Sequence, residues 1–160
     1  MKTRFFSTAF AFLIFVSLIS CKESPGPAPQ KTPEQIATEA ISGSGTQAWG
    51  IAGGGSVTRD GREVTDLYST FELVFNSGNS KTYSARNSND LFDASGNWSF
   101  AGSNFDKVTL TGAKPAAGRE ISFTQNNNTL RLEFTIPAPG ARIGNTFAVA
   151  GNYTIVLMKK

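Results

Sequence analysis

The chain has no histidine and a single cysteine in 160 residues. Without histidine there is no Ser/His triad, no side chain that titrates unperturbed near neutrality, and none of the commonest metal ligand. One cysteine cannot close a disulfide within the chain, so the fold has to be held by its core. Carboxylates are the acid–base groups that remain, and Asp60, Glu63, Asp66, Glu72, Asp90, Asp93, Asp106, Glu120 and Glu133 fall singly in turns or at outward strand positions. Glu120 and Glu133 are placed to face each other across a hairpin. A glycosidase pair, however, needs an inward cleft and one carboxyl with a raised pKa, whereas solvated strand faces are where carboxylates ordinarily sit. The expectation is that the protein is not an enzyme. Asn87, Asn89, Asp90 and Asp93 crowd one loop with oxygen atoms, but neither the spacing nor a distal Glu fits an EF-hand. No metal and no cofactor are expected. No basic run exceeds Lys159-Lys160, which leaves nucleic acid without a phosphate-tracking surface. From residue 22 onward no apolar run approaches the ~20 residues of a spanning helix.

One apolar run does exist, at the start. Lys2 and Arg4 precede an uncharged segment from Phe5 to Leu18, the layout of a secretory signal peptide. Leu18-Ile19-Ser20-Cys21 resembles the bacterial lipobox, and the resemblance implies that the Cys21 thiol takes a thioether-linked lipid before cleavage makes it the first residue. It also implies an address. Asp after the lipidated cysteine is the inner-membrane retention signal, and Lys22 stands there instead, so an outer-membrane lipoprotein is expected, on its periplasmic or its surface face. Loss of Lys2 and Arg4 with the signal leaves 13 basic against 12 acidic residues, a balance of +1 instead of +3.

The 140 remaining residues suffice for one domain with a real core. Ser24 to Lys31, rich in proline, reads as an extended tether of roughly 25 Å. Thr32, Pro33 and Gln35 then supply a capping box with proline at the first helical position, predicting a helix over Pro33 to Ser42 whose face carries Ile36, Ala37, Ala40 and Ile41. The organisation expected is a signal peptide over 1–20, lipidated cysteine and tether over 21–32, and one β domain over 33–160.

After the helix the pattern alternates with period two. Trp49, Ile51 and Val57 share one side. Gly53-Gly54-Gly55 interrupts them and predicts a bulge or sharp bend; no helix or GK[ST] follows to make it a phosphate loop. Asp60-Gly61 marks a tight turn. Further strands are expected around Phe71–Phe75, Thr82–Arg86, Asn97–Phe100, Lys107–Thr111, Glu120–Thr124, Thr129–Ile136 and Gly151–Met158. About eight strands joined by short turns, with no helix between them, predict an all-β antiparallel up-and-down meander that forms a barrel or half-barrel with the helix at one end; a two-sheet β-sandwich is the alternative.

The lipobox cysteine, the tether, the short helix, Trp49, Asp60-Gly61, Gly96-Asn97-Trp98-Ser99-Phe100 and Gly151-Asn152-Tyr153-Thr154-Ile155 together resemble the small lipocalin-like lipoprotein domains of Bacteroidota. Gln47-Ala48-Trp49 stands where classical lipocalins carry Gly-x-Trp. The resemblance implies a lipocalin-like barrel in the cell envelope, partnered by the membrane through lipid on Cys21. Two functions are then expected. In the first, the barrel binds an apolar small molecule through its inward aromatics, with Trp49, Tyr83, Trp98, Phe100, Phe123 and Phe134 as ligand-binding residues. In the second, the barrel is filled and serves as an envelope-structural or protein-interaction lipoprotein, with Leu91 and Phe92 forming an interaction loop toward an envelope protein.

Overall fold

The computed structural model describes residues 30–138 and 149–160. The chain divides into two units, Met1–Gln30 and Lys31–Lys160. The expected signal peptide, Cys21 and most of the tether lie outside the described residues.

Helix α1 (Pro33–Ser42) starts on a capping box. The Thr32 hydroxyl accepts from the Gln35 amide at 3.2 Å, and the Gln35 side chain accepts from the Thr32 amide at 2.8 Å. Only its last turn reaches the barrel: Ile41 and Ser42 are buried, whereas Ile36 is 57% exposed. This corrects the expected shared face. Positions 36 and 41 are about 140° apart at 100° per residue, so a ten-residue helix that packs through its C-terminal turn must point Ile36 outward.

The helix ends against the sheet, and its free carbonyls show how. Glu39 O accepts from Gly43 N at 2.8 Å, Ser42 O from Gly45 N at 3.2 Å, and Ile41 O from the Trp49 indole at 2.7 Å. The Ser42 hydroxyl adds a 2.7 Å bond to that of Ser77.

The strands are β1 (Thr46–Gly50), β2 (Ser56–Arg59), β3 (Arg62–Glu63), β4 (Glu72–Asn76), β5 (Thr82–Arg86), β6 (Ser95–Phe100), β7 (Lys107–Leu110), β8 (Ile121–Asn126), β9 (Thr129–Ile136) and β10 (Gly151–Lys159). A 3₁₀ turn, Thr65–Tyr68, leads into β4. β1 pairs with β4, neighbours from β4 to β10 pair in sequence, and β10 returns to β1 through Trp49↔Lys159 and Gly50↔Met158. All pairings are antiparallel. The result is a closed eight-stranded up-and-down barrel of lipocalin-like form with one short helix, which sets the sandwich aside.

β10 also carries β2, through Ile155↔Val57 and Val156↔Ser56, so β1 and β2 follow one another along the same edge. Residues 51–55 are looped out opposite Leu157, the bulge that the three glycines predict. Gly55 is required there, because a Cβ on it would stand 2.7 Å from Val156 O and 2.8 Å from Ile51 Cα. The β2–β3 turn has Asp60 at φ +50° and Gly61 at φ +76°, a type I′ turn.

Alternation puts one apolar cluster inside: Trp49, Leu73, Phe75, Tyr83, Trp98, Val108, Leu110, Ile121, Leu130, Leu132, Phe134, Ile155 and Leu157 come from every strand of the ring. Outward positions are mainly polar, among them Ser84, Asn97, Ser99, Thr109, Thr124 and Thr154, with Val74, Val156 and Met158 as half-buried apolar exceptions. That is mainly polar outside and apolar inside, the reverse of a membrane-spanning barrel. Among the described residues no helix is long and apolar enough to cross a membrane.

Candidate functional site

Register gives the barrel two unlike ends. The helix end gathers α1, the β4–β5 turn, the β6–β7 loop and the β8–β9 turn. The far end gathers the connections around Tyr68, Leu91 and Ala116.

The far end is stoppered. Leu91 is 0% and Phe92 3% exposed, so neither is presented to a partner. Phe92 lies flat on Phe71 at 5.4 Å between ring centroids and edge-on to Phe134 at 5.7 Å; Phe134 stacks on Tyr153 at 5.3 Å. Buried Ser88 pins this plug, its hydroxyl donating to Phe92 O at 2.9 Å. Ala116 is fully buried in the β7–β8 loop, and its amide donates to Leu91 O at 3.1 Å. Both loop carboxylates considered for a cation are committed elsewhere, and Asn87 is tied through its amide nitrogen. Asp90 pairs with Lys114 at 2.7 Å, Asn87 donates to Thr70 O at 3.1 Å, and the Asp93 carboxylate accepts the amides of Ala113 and Lys114 at 3.0 and 2.8 Å. Desolvation pushes the Asp93 pKa up, but those amides and the Lys114 charge outweigh it and hold the carboxyl below its ordinary range. Among the described residues no group of His, Cys, Asp or Glu could hold a metal ion.

Of the expected ligand-binding residues, Trp49, Tyr83, Trp98 and Phe134 are buried, and the polar atoms of the first three are already used. The Trp49 indole holds Ile41 O, the Tyr83 hydroxyl donates to Thr111 O at 2.7 Å, and the Trp98 indole donates to Asn76 O at 3.0 Å. Burial, reinforced by the Asp93 charge, lifts the Tyr83 pKa from 10.0 to about 12; burial first, then Tyr153, does the same for Tyr68. In the unfolded chain both phenols ionise near 10, so this contribution is complete below pH 10 and is lost as pH rises from 10 to 12. Urea midpoints are therefore expected to fall steeply across that interval. A Tyr83→Phe variant should show a shallower fall than the parent.

The helix end is different. Phe100 and Phe123 are only partly buried and pack at 6.3 Å, and Trp98 meets Phe100 edge-on at 5.3 Å. Phe105, from the β6–β7 loop, closes on Phe100 at 5.3 Å with its rings at 84°. Its backbone is left-handed, φ +56°, an unfavourable state for a bulky side chain. Above these rings lies Lys81 from the β4–β5 turn, its Nζ 4.7 Å from the centroid of Phe100 and 5.3 Å from that of Trp98. The same ammonium meets the Glu34 carboxylate of α1 at 2.6 Å. Sequence reasoning found Trp98, Phe100 and Phe123 by alternation but missed Lys81, Phe105 and Glu34, which sit in a turn, a loop and a helix that only the closed barrel brings together.

Glu120 and Glu133 both border a cleft of about 430 Å³ outside β8–β10, with Arg119, Ser122, Asn152 and Thr154. They are not cross-strand partners: Glu133 faces Ser122, and Glu120 precedes β8. Glu120 pairs with Lys107 at 2.9 Å and Glu133 with Arg131 at 2.8 Å, and the Arg131 hydrogen bond holds the Glu133 carboxyl below its ordinary range. A general acid needs the opposite shift. No family model matches the chain, and no curated protein matches it.

Proposed function

We propose that this protein is a membrane-tethered envelope lipoprotein whose packed barrel works through its outer surface and rims and carries nothing in its centre. One observation supports this above the others: Val57 on β2 and Leu73, Leu130, Ile155 and Leu157 of the ring are all 0% exposed, so no water-sized void opens onto them. Eight strands enclose just enough room for side chains or for one small ligand, and here large side chains take the room. No buried side-chain polar atom lacks a partner in the described structure, so the interior offers nothing to orient a guest. The tether and lipid follow from Ser24 to Lys31 and from Cys21, and the barrel domain is expected in the envelope as a structural or protein-interaction module.

The unit Lys31–Lys160 contains every strand of the closed ring together with its core, and is therefore suited to study alone. With methyl-labelled protein, saturating oleate, a sterol or haem is expected to leave the resonances of Val57, Leu73 and Ile155 unmoved. Shifts at those central methyls would show a guest inside the barrel and overturn the packed reading.

A further inference from the structure

We propose that the cleft on the outer wall of β8, β9 and β10 is a binding site for an acidic saccharide, with the sugar carboxylate on Arg119 and the ring hydroxyls on Ser122, Glu133 and Thr154. This deepens the reading that the barrel works through its outer surface and rests on it. It does not depend on the lipid anchor.

Register builds the floor. Ser122 pairs with Glu133 and Glu133 with Thr154, so three outward side chains stand in one cross-strand row on strands about 4.8 Å apart, the scale of a sugar ring. Ser122 and Thr154 are short, and the cleft of about 430 Å³ opens over them. One border is fixed: the Thr135 hydroxyl donates to Asn152 Oδ1 at 2.7 Å, and Asn152 Nδ2 donates to Asp60 at 3.1 Å. The rest is ready to bond. Among the described residues the Ser122 and Thr154 hydroxyls and the Arg119 guanidinium meet no partner. Glu120 and Glu133 each hold a cation, Lys107 and Arg131, on one carboxylate oxygen and keep the other.

These groups select by chemistry. A sugar hydroxyl donates and accepts at once, so it fits both a Ser or Thr hydroxyl and a carboxylate that only accepts. The one free guanidinium matches one carboxylate in a two-bonded pair. A phosphate dianion would face Glu120 and Glu133 with a single free cation to hold it. A cationic ligand gains little, because Lys107 and Arg131 already neutralise those carboxylates and Arg119 repels it. An apolar ligand finds no surface, since Phe134 and Tyr153 border the cleft with their rings turned inward, 6% and 2% exposed.

The test is a titration of the Lys31–Lys160 domain with digalacturonate, followed at the backbone amides of Arg119, Ser122, Glu133 and Thr154, with the matching neutral galactose disaccharide and acetate as controls. Digalacturonate is expected to move these amides saturably and to leave the Val57, Leu73 and Ile155 methyls in place. The neutral disaccharide should bind roughly tenfold more weakly, the scale of one charge-assisted hydrogen bond, and Arg119→Gln should bring digalacturonate down to that level. Ser122→Ala and Thr154→Val should each weaken both sugars about threefold. All three positions face outward, so the unchanged core methyls report an intact fold. Lys159→Gln removes an equal charge at the opposite end of β10 and should bind as the parent does. The proposal is overturned if digalacturonate leaves the cleft amides unmoved, if Arg119→Gln weakens binding no more than Lys159→Gln, or if the neutral disaccharide or acetate binds as tightly as digalacturonate. Movement of the core methyls in place of the cleft would overturn this proposal and the packed-barrel reading together, whereas an unmoved cleft with unmoved methyls would overturn this proposal alone.

Discussion

In cells that express the Cys21→Ser chain, the protein is expected to lose lipid attachment and normal processing, and the Lys22–Lys160 segment made without its leader should be soluble and folded. The effect is expected to be large because, on the proposed lipidation, a thioether diacyl group and an amide-linked chain would together supply three acyl chains. A single chain gives only a marginal hold, and each buried CH₂ adds about 0.8 kcal/mol. Among the described residues no helix is long and apolar enough to replace them. The domain's outward strand positions are mainly polar or charged, its described helix is short, and the ion pairs among the described residues are surface pairs that salt would screen. Membrane fractionation with a high-salt wash and metabolic acyl labelling decide the matter. Unlabelled wild-type protein, or a Lys22–Lys160 segment that still pellets with vesicles after the wash, would place the anchor elsewhere and remove the lipobox reading of Leu18 to Cys21.

The barrel was legible because its signals are local and redundant. Phe71-x-Leu73-x-Phe75 and Tyr153-x-Ile155-x-Leu157 state which face is inward, and all six side chains are buried. Asp60-Gly61 and Asn126 to Asn128 state where the chain reverses. Thr32 with Gln35 fixes the helix start to the residue. What the sequence did not disclose depends on closure. Whether the β1–β10 seam forms is decided by contacts between positions about a hundred residues apart, such as Lys160 N to Ala48 O at 3.1 Å. Period-two patterning is the same in a barrel and in a sandwich.

The site was less legible for the same reason. Alternation marks Trp49, Tyr83, Trp98, Phe100, Phe123 and Phe134 as inward but cannot say which lie at mid-barrel and which at a rim. Register separates them, and only Phe100 and Phe123 keep exposed surface. Leu91 and Phe92 have no periodic neighbours, so their loop alone left exposure and burial equally open; the stack of Phe92 on Phe71 settles it. Tyr68 escaped notice because a 3₁₀ turn, and not a strand, points it inward. Lys81 reads in sequence as an ordinary turn lysine. Its position over two rings exists only once β5 and β6 pair.

Trp49 is where the largest loss of stability is expected, because one side chain there does two things. Its ring is 1% exposed at the closing seam, beside the Lys159 pairing, and its indole N–H caps the C-terminal end of α1 through Ile41 O. Trp49→Ala removes the ring and leaves a cavity that rigid strands on both sides cannot collapse, a loss of about 3–5 kcal/mol. Against a typical total of about 5–15 kcal/mol this is a large fraction, and for a domain of this size it lowers Tm by on the order of 10–20 °C. Trp49→Phe separates the two roles. It keeps most of the apolar volume but leaves the buried Ile41 carbonyl without its donor, a loss of about 1–3 kcal/mol. Amide exchange should then quicken selectively in Ile36–Ser42, since the helix is left with its Ser42–Ser77 bond, the solvent-exposed Glu34–Lys81 pair and its last-turn packing. Thermal melts, urea curves and residue-resolved exchange on both variants measure this. A Trp49→Ala protein that melts within a few degrees of the parent would show that the seam repacks, and a Trp49→Phe protein with unchanged exchange over Ile36–Ser42 would show that the indole does not hold the helix.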